Sequence, residues 1–348
     1  MKTFARRLGI SAMGALLLAT LGGARPVAAL SGTWSLEPSG REGTAELELR
    51  RRSGLHGHWT SSFTISPTSL EGLPAVPWES LSSDAPFTLR RDAGTFSFQG
   101  AIREGVGSGR FSFSPDPAYA NDMQALGYRL SEDDFFAAAA HDLSRAFIRE
   151  LSQLGYVRLP WDDLVAFRIH GVSPAVVREL ESLGYRHLSA DSLVAMRIHG
   201  VTPEFIAAMK AEGYDHVSAD NLVAFRIHGV SPEFVRSIRQ AGYGPFEGDE
   251  LVAMRIHGAT PEFIGELKRL GYDHVDGEDL VAMRIHGVSA DFISQLQGLG
   301  YPHVSPENLV AMKIHGVTAD DVRRFNSGRS ERYSVDDLVS MKIHRGGR

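Results

Sequence analysis

The sequence predicts a multidomain α+β protein, with a small N-terminal antiparallel β domain followed by an αα-hairpin repeat solenoid. Three observations carry this. A ten-residue motif, first seen as Asp162 to Gly171, recurs every 29 residues, with leucine anchors at Leu164, Leu193, Leu222, Leu251, Leu280, Leu309 and Leu338. Each copy is bracketed by helix start and stop signals. The stretch before the copies alternates apolar and polar residues with a period of two. A fixed period of this length signals units that bury their apolar faces against their neighbours, whereas strict alternation signals half-buried strands.

The chain opens on residues that are not fold. Lys2, Arg6 and Arg7 precede an apolar run from Leu8 to Leu21, and Val27-Ala28-Ala29 offers small residues at a cleavage site. Residues 1–29 therefore read as a secretory signal peptide. On this reading the mature protein is exported, either periplasmic or secreted. No later segment approaches the roughly 18 uninterrupted apolar residues of a membrane span, so no membrane insertion is expected after cleavage.

The composition is globular, 43% hydrophobic and 22% charged. A net charge of −6 argues against nucleic acid as a partner, because nucleic-acid binding needs a basic footprint. The absence of cysteine excludes disulfides, thiolate zinc sites and cysteine nucleophiles.

Residues 30–114 are expected to form the β domain, a sandwich or roll of six strands. Alternation runs through Ala45 to Arg50, Phe87 to Leu89, Thr95 to Phe98 and Arg110 to Phe113. Gly105-Val106-Gly107-Ser108-Gly109 lacks the lysine of a phosphate loop and is followed by a strand, so it reads as a hairpin. His56 and His58 share a strand face but have no third partner for a metal, and read as a solvated edge. The segment Pro67 to Pro86, rich in proline and serine, reads as a long loop.

Residues 115–344 are expected to form the solenoid, about eight units, with 345–348 as a frayed tail. In the copy beginning at Ser189, Ser189 suits a helix N-cap and Asp191 the first turn. The helix runs to His199 and stops at Gly200. Thr202-Pro203-Glu204 then restarts the chain with a cap, a proline at the first helical position and an acid at the positive end of the dipole. The second helix buries Phe205, Ile206 and Met209 and stops at Gly213-Tyr214. Gly171, Gly200, Gly229, Gly258, Gly287 and Gly316 are the corresponding caps, which favour a left-handed backbone.

The first helix carries a puzzle. On a helical wheel Leu193, Val194, Met196 and Ile198 span over half the circumference, and Arg197 lies inside that arc. The basic residue recurs as Arg168, Arg226, Arg255, Arg284, Lys313 and Lys342. A charge on a buried face must be paired or must reach water. Two readings are open. In one, an inter-repeat ladder of ion pairs forms with the acids two places before each leucine. In the other, a basic stripe grips an acidic ligand.

A second ladder, His170, His199, His228, His257, His286 and His315, sits at first-helix C-termini, where imidazole can donate to free carbonyls. Helices pack about 8–10 Å apart, so equivalent histidines cannot share one zinc. No metal and no cofactor are expected. These histidines would charge together in an acidified compartment, which makes them candidate pH-responsive groups.

Templates for catalysis are missing: no His-Glu-x-x-His, no Gly-x-Ser-x-Gly, no P-loop and no EF-hand loop. The units, such as Leu193-Val194-Ala195-Met196-Arg197-Ile198-His199-Gly200-Val201-Thr202-Pro203-Glu204-Phe205-Ile206, resemble tandem helical repeats of bacterial envelope proteins. Some of those are attached to membrane metallopeptidases of the antibiotic-sensing, antirepressor type. The resemblance spans about 130–344 and implies an exported bacterial protein with a sensory or scaffolding role. It implies no peptidase activity, since the zinc motif and membrane helices of those enzymes are missing.

The expected function is therefore that of a non-enzymatic envelope scaffold, with the repeat surface engaging a protein or an acidic polymer. Two alternatives stand beside it. The β domain is a small-ligand binder or enzyme that the array positions, or the chain is a regulatory partner of an envelope peptidase or sensor.

Overall fold

The computed structural model describes residues 30–41, 43–53 and 57–345. The expected signal peptide at 1–29, the tail beyond 345 and His56 lie outside these residues. The chain divides into two compact units, one of strands and one of helices.

The first unit is a single antiparallel sheet of seven strands: β1 (Leu30–Pro38), β2 (Ala45–Ser53), β3 (Gly57–Ile65), β4 (Leu70–Glu71), β5 (Phe87–Arg91), β6 (Gly94–Arg103) and β7 (Val106–Pro115). Their order is β3-β2-β1-β7-β6-β5-β4. The sheet is curled, and one sheet rather than two packed sheets makes the core. Trp34, Phe96, Phe98, Phe111 and Phe113 are all buried, with Trp34 edge-on to Phe98 at 5.9 Å and Phe96 tilted on Phe113 at 4.8 Å.

The segment Pro67 to Pro86 is not a plain loop. It forms two short 3₁₀ turns around β4 and places Leu70, Trp78 and Leu81 in the core. A serine- and proline-rich composition hid three apolar anchors spaced too irregularly for any period to show.

Gly105 lies in the β6–β7 turn, as the hairpin reading requires. The glycines beside it have a second role. A Cβ at Gly107 or Gly109 would fall 3.0 Å or 2.8 Å from the indole of Trp34. That ring leaves no room for side chains at these positions, and its Nε1 donates to the Gln99 carbonyl at 3.2 Å.

The second unit holds sixteen helices among the described residues: α1 (Pro117–Ala125), α2 (Glu132–Ala140), α3 (Arg145–Gln153), α4 (Trp161–His170), α5 (Pro174–Ser182), α6 (Ala190–Ile198), α7 (Pro203–Ala211), α8 (Ala219–His228), α9 (Pro232–Gln240), α10 (Gly248–His257), α11 (Pro261–Arg269), α12 (Gly277–Ile285), α13 (Ala290–Gly298), α14 (Pro306–Ile314), α15 (Ala319–Asn326) and α16 (Val335–Arg345). From α4 onward the even-numbered helices are first helices of a unit and pack side by side in one layer. The odd-numbered second helices form another.

The caps explain why such short helices hold. Ser189 accepts from the Ser192 amide at 3.0 Å and Thr202 from that of Phe205 at 3.2 Å. Gly171, Gly200, Gly229, Gly258, Gly287 and Gly316 all lie at φ between +69° and +75°. Four layers of side chains repeat through the core. In the unit of α8 and α9 they are Leu222 and Phe225 from the first helix, Val230 after the stop, and Val235 with Ile238 from the second, all buried.

Neighbouring units are also joined by polar contacts. The tyrosine that follows the glycine stop of a second helix bonds forward. Tyr156, Tyr185, Tyr214 and Tyr272 donate to the carbonyls of Leu188, Val217, Phe246 and Val304, at 2.6–2.9 Å. Second helices bond backward: Lys268 Nζ donates to the Ala241 carbonyl at 2.9 Å and Gln297 Nε2 to that of Leu270 at 2.8 Å. These acceptors are the otherwise unsatisfied carbonyls at the end of the preceding second helix.

The last unit differs. Asp321 stands where five of the preceding units carry phenylalanine and one carries Val176, and is buried beside Lys342 Nζ at 2.6 Å. Burial raises its pKa, but hydrogen bonds from Lys342 and Thr318 and the Lys342 charge outweigh this and bring it down to about 2. A depressed carboxylate stabilises above its unfolded value and loses that contribution as pH falls. The expected result is a loss of about 1–2 kcal/mol from the C-terminal units between about pH 4 and pH 2. Acid unfolding of Asp321→Asn checks this, since its curve should be flatter over that window.

Candidate functional site

The basic ladder faces the preceding unit. The Nε atoms of Arg168, Arg197, Arg226 and Arg255 donate to the carbonyls of His141, His170, His199 and His228, at 2.8 Å for the first and 3.4 Å for the others. Each acceptor closes the preceding first helix. The guanidinium also lies over a ring: Arg168 over Phe147 at 5.1 Å, Arg226 over Phe205 at 5.0 Å, Arg255 over Phe234 at 4.9 Å and Arg284 over Phe263 at 4.8 Å. Lys313 sits over Phe292 at 4.9 Å. Val176 occupies the position equivalent to those rings in the unit before Arg197, and Lys342 pairs with Asp321.

The cap glycines make this crossing possible. A Cβ on Gly171 would come within 3.2 Å of Arg197 Nη2. In the first unit Asp142 takes the glycine's place at φ +55° and pairs with Arg168 at 3.2 Å.

The acids two places before each leucine are not the partners of the ladder. Asp162, Asp191, Asp220, Asp249, Glu278, Glu307 and Asp336 are exposed. The reason is geometric. Acid and base lie six residues apart, about 9 Å along a helix at 1.5 Å per residue. First helices stack as neighbours in register, so the opposite ends of adjacent helices never meet. Among the described residues the ladder makes ion pairs with Asp142 and Asp321 instead.

What the first-helix layer does present is apolar. Ile169, Ile198, Ile227, Ile256, Ile285, Ile314 and Ile343 are 49–54% exposed. The wheel placed Ile198 within the buried arc, but only Leu193 and Met196 of that arc are buried, and Val194 is intermediate. A two-layer stack covers the sides of a helix that face its neighbours and its hairpin partner, and no more. The remaining face carries Asp191, Val194 and Ile198, which follow one another at helical spacing. Seven copies set in a row give three parallel tracks: acid, half-exposed valine and exposed isoleucine.

Like charges crowd along the acid track. Asp163 is raised by burial and then by the charges of Asp191 and Asp162. Asp279 is raised by burial and by Asp276, Glu278 and Glu307. The repulsion reaches from one unit to the next.

His170, His199, His228, His257, His286 and His315 flank the isoleucines and are exposed. His141 alone is partly sheltered, and burial with the nearby Arg168 charge pushes its pKa down. Among the described residues no group of three or more His, Asp and Glu is placed to hold a metal ion. None of the described helices is long and apolar enough to cross a membrane. His58 lies on β3.

No protein-family model matches the chain, and no curated protein matches it. The surface must be read from its own chemistry. One signal for it was present in the sequence: each isoleucine sits between a basic residue and a histidine at the last turn of its helix, a poor context for a core position.

Proposed function

We propose that this protein is a non-enzymatic, exported scaffold of the bacterial envelope whose first-helix face binds a polypeptide partner. The observation that carries the reading is the row of seven half-exposed isoleucines in one register. Isolated surface apolar residues need no explanation, but a contiguous track of them marks an interaction site. The crowded acid track beside it favours a partner with an apolar strip edged by lysine or arginine, since opposite potentials across an interface set register and partner choice. Export and the envelope setting rest on the N-terminal segment and on the resemblance of the repeats.

An acidic polymer is the weaker occupant, because Arg168, Arg197, Arg226 and Arg255 already donate to carbonyls of the preceding unit and Arg284 and Lys313 lie over its rings. The densely packed aromatic core of the β domain weighs against that domain being a small-ligand binder or enzyme. A regulatory role beside an envelope peptidase is compatible with the same face and would make that peptidase the partner.

The test compares surface variants in cross-linking from envelope extract, with a photo-reactive residue at Val223. Ile198→Asp with Ile227→Asp and Ile256→Asp should abolish a discrete adduct, and Asp191→Asn with Asp220→Asn should weaken it. The substituted isoleucines and aspartates are exposed, so stability should move by no more than about 0.5 kcal/mol at each. An adduct that survives the aspartates but is lost when Arg226 and Arg255 are reversed would overturn the reading in favour of an acidic polymer.

A further inference from the structure

The seam between α9 and α10 differs from the seams on either side of it. Between α9 and α10 the chain reads Gly244-Pro245-Phe246-Glu247-Gly248, where the unit before has Asp215-His216-Val217-Ser218-Ala219 and the unit after has Asp273-His274-Val275-Asp276-Gly277. Glycine and proline replace an Asp-His pair and remove two polar side chains. One unit earlier, Glu212 stands where other second helices end in Leu154, Leu183, Leu270 and Leu299. The two departures meet, because both line one cavity of about 770 Å³. Small-molecule sites span roughly 300–1,000 Å³.

The cavity has an apolar floor and a charged rim. Val235, Ile238, Tyr243, Phe246 and Leu251 form the floor and are buried. Tyr214 adds a third aromatic ring to the wall, held by its bond to the Phe246 carbonyl. At one end the Glu212 carboxylate, 8% exposed, takes Arg236 at 2.6 Å and 2.9 Å, and Arg239 as well. The Arg236 hydrogen bond holds Glu212 below the usual carboxylate range, so this cluster is satisfied within itself. Asp215, Glu247 and Asp249 complete the rim and are exposed. Four carboxylates against two guanidiniums leave the site with an excess of two negative charges. Among the described residues Glu212 and Asp321 are the buried acids of the array, and Asp321 is taken up by Lys342.

We infer that this cavity binds a small organic cation carrying an apolar body, an ammonium or guanidinium on a ring or short hydrocarbon. The floor would take the body. Tyr214, Tyr243 and Phe246 offer ring faces to the charge, and Glu247 and Asp249 offer counter-charge. The site shares Asp249 with the acid track but includes none of the isoleucines, and it stands whether or not that face binds a polypeptide.

The test is calorimetric titration of the full chain with phenethylamine, with putrescine and phenylpropionate as controls for the apolar body and the sign of the charge. One phenethylamine per chain is expected, bound more tightly than either control. Glu247→Gln with Asp249→Asn should weaken it about tenfold. Gly244→Asp with Pro245→His, which restores the neighbouring units' pair, should also weaken it. Asp191→Asn with Asp162→Asn, the equivalent acids of regular units, should leave it unchanged. No saturable heat, equal binding of phenylpropionate, or binding that ignores both cavity variants would each overturn the assignment.

Discussion

Replacing Phe225 by alanine should destabilise the array by about 3–5 kcal/mol, the range for removing a buried aromatic side chain without full collapse of the space left behind. Phe225 is completely buried and meets Tyr214 edge-on at 6.4 Å. It therefore serves two units at once, filling the core of its own and bracing the tyrosine that joins the unit before. The neighbouring Ile227, two residues on, is 52% exposed, and Ile227→Ala should change stability by about 0.5 kcal/mol or less. Urea unfolding followed by helical circular dichroism separates the two. Amide exchange adds a local readout, because contacts between neighbours alone confine the first loss of protection to α6 through α10. Equal destabilisation by both substitutions would contradict the layer assignment.

In the β domain, Gly109→Val should abolish the native tertiary signal. A Cβ there would lie 2.0 Å from the Gln99 carbonyl oxygen and 2.7 Å from the Gly100 Cα. Overpacking usually costs about 1–3 kcal/mol because side chains move aside. Here the obstacles are backbone atoms of the paired strand, which cannot move without opening the β6–β7 ladder, and the Trp34 indole, which has no room to turn. The cost should exceed that range. Near-ultraviolet circular dichroism of the tryptophans checks it, with Gly40→Val as control, since nothing lies within 4 Å of a Cβ at Gly40. A native spectrum for Gly109→Val would mean the ring does not occupy this position.

The architecture was legible in the sequence wherever a local rule acts. Ser189, Thr202 and Gly200 announce their helix ends through hydrogen-bonding capacity and backbone freedom, which need no tertiary information. Leu222, Phe225 and Ile238 announce the core by spacing. The surface was less legible. Ile198 and Leu193 are equally apolar, and only the geometry of two stacked layers decides which is covered. The charge of Arg197 demanded a partner, but the partner is a main-chain carbonyl, and every residue has one. Trp78 was lost in a stretch whose composition is that of a loop. The Glu212 cavity escaped notice because it arises from departures in two adjacent units, each of which looks like tolerated variation when read alone.

Every bond that joins the units runs in a fixed direction: tyrosine hydroxyls reach forward, arginines and lysines reach back. The direction is the same at every described seam, although the side chains that supply the bonds vary from one to the next. At the level of the gene, recombination between two copies shifted by 29 codons yields a chain that is longer or shorter by one unit and keeps the register of its caps and helices. A shift that is not a multiple of 29 puts the basic residue out of register with the carbonyl before it. The length of this protein is therefore free to evolve in whole steps, with the number of isoleucines on its face as the quantity that selection would count.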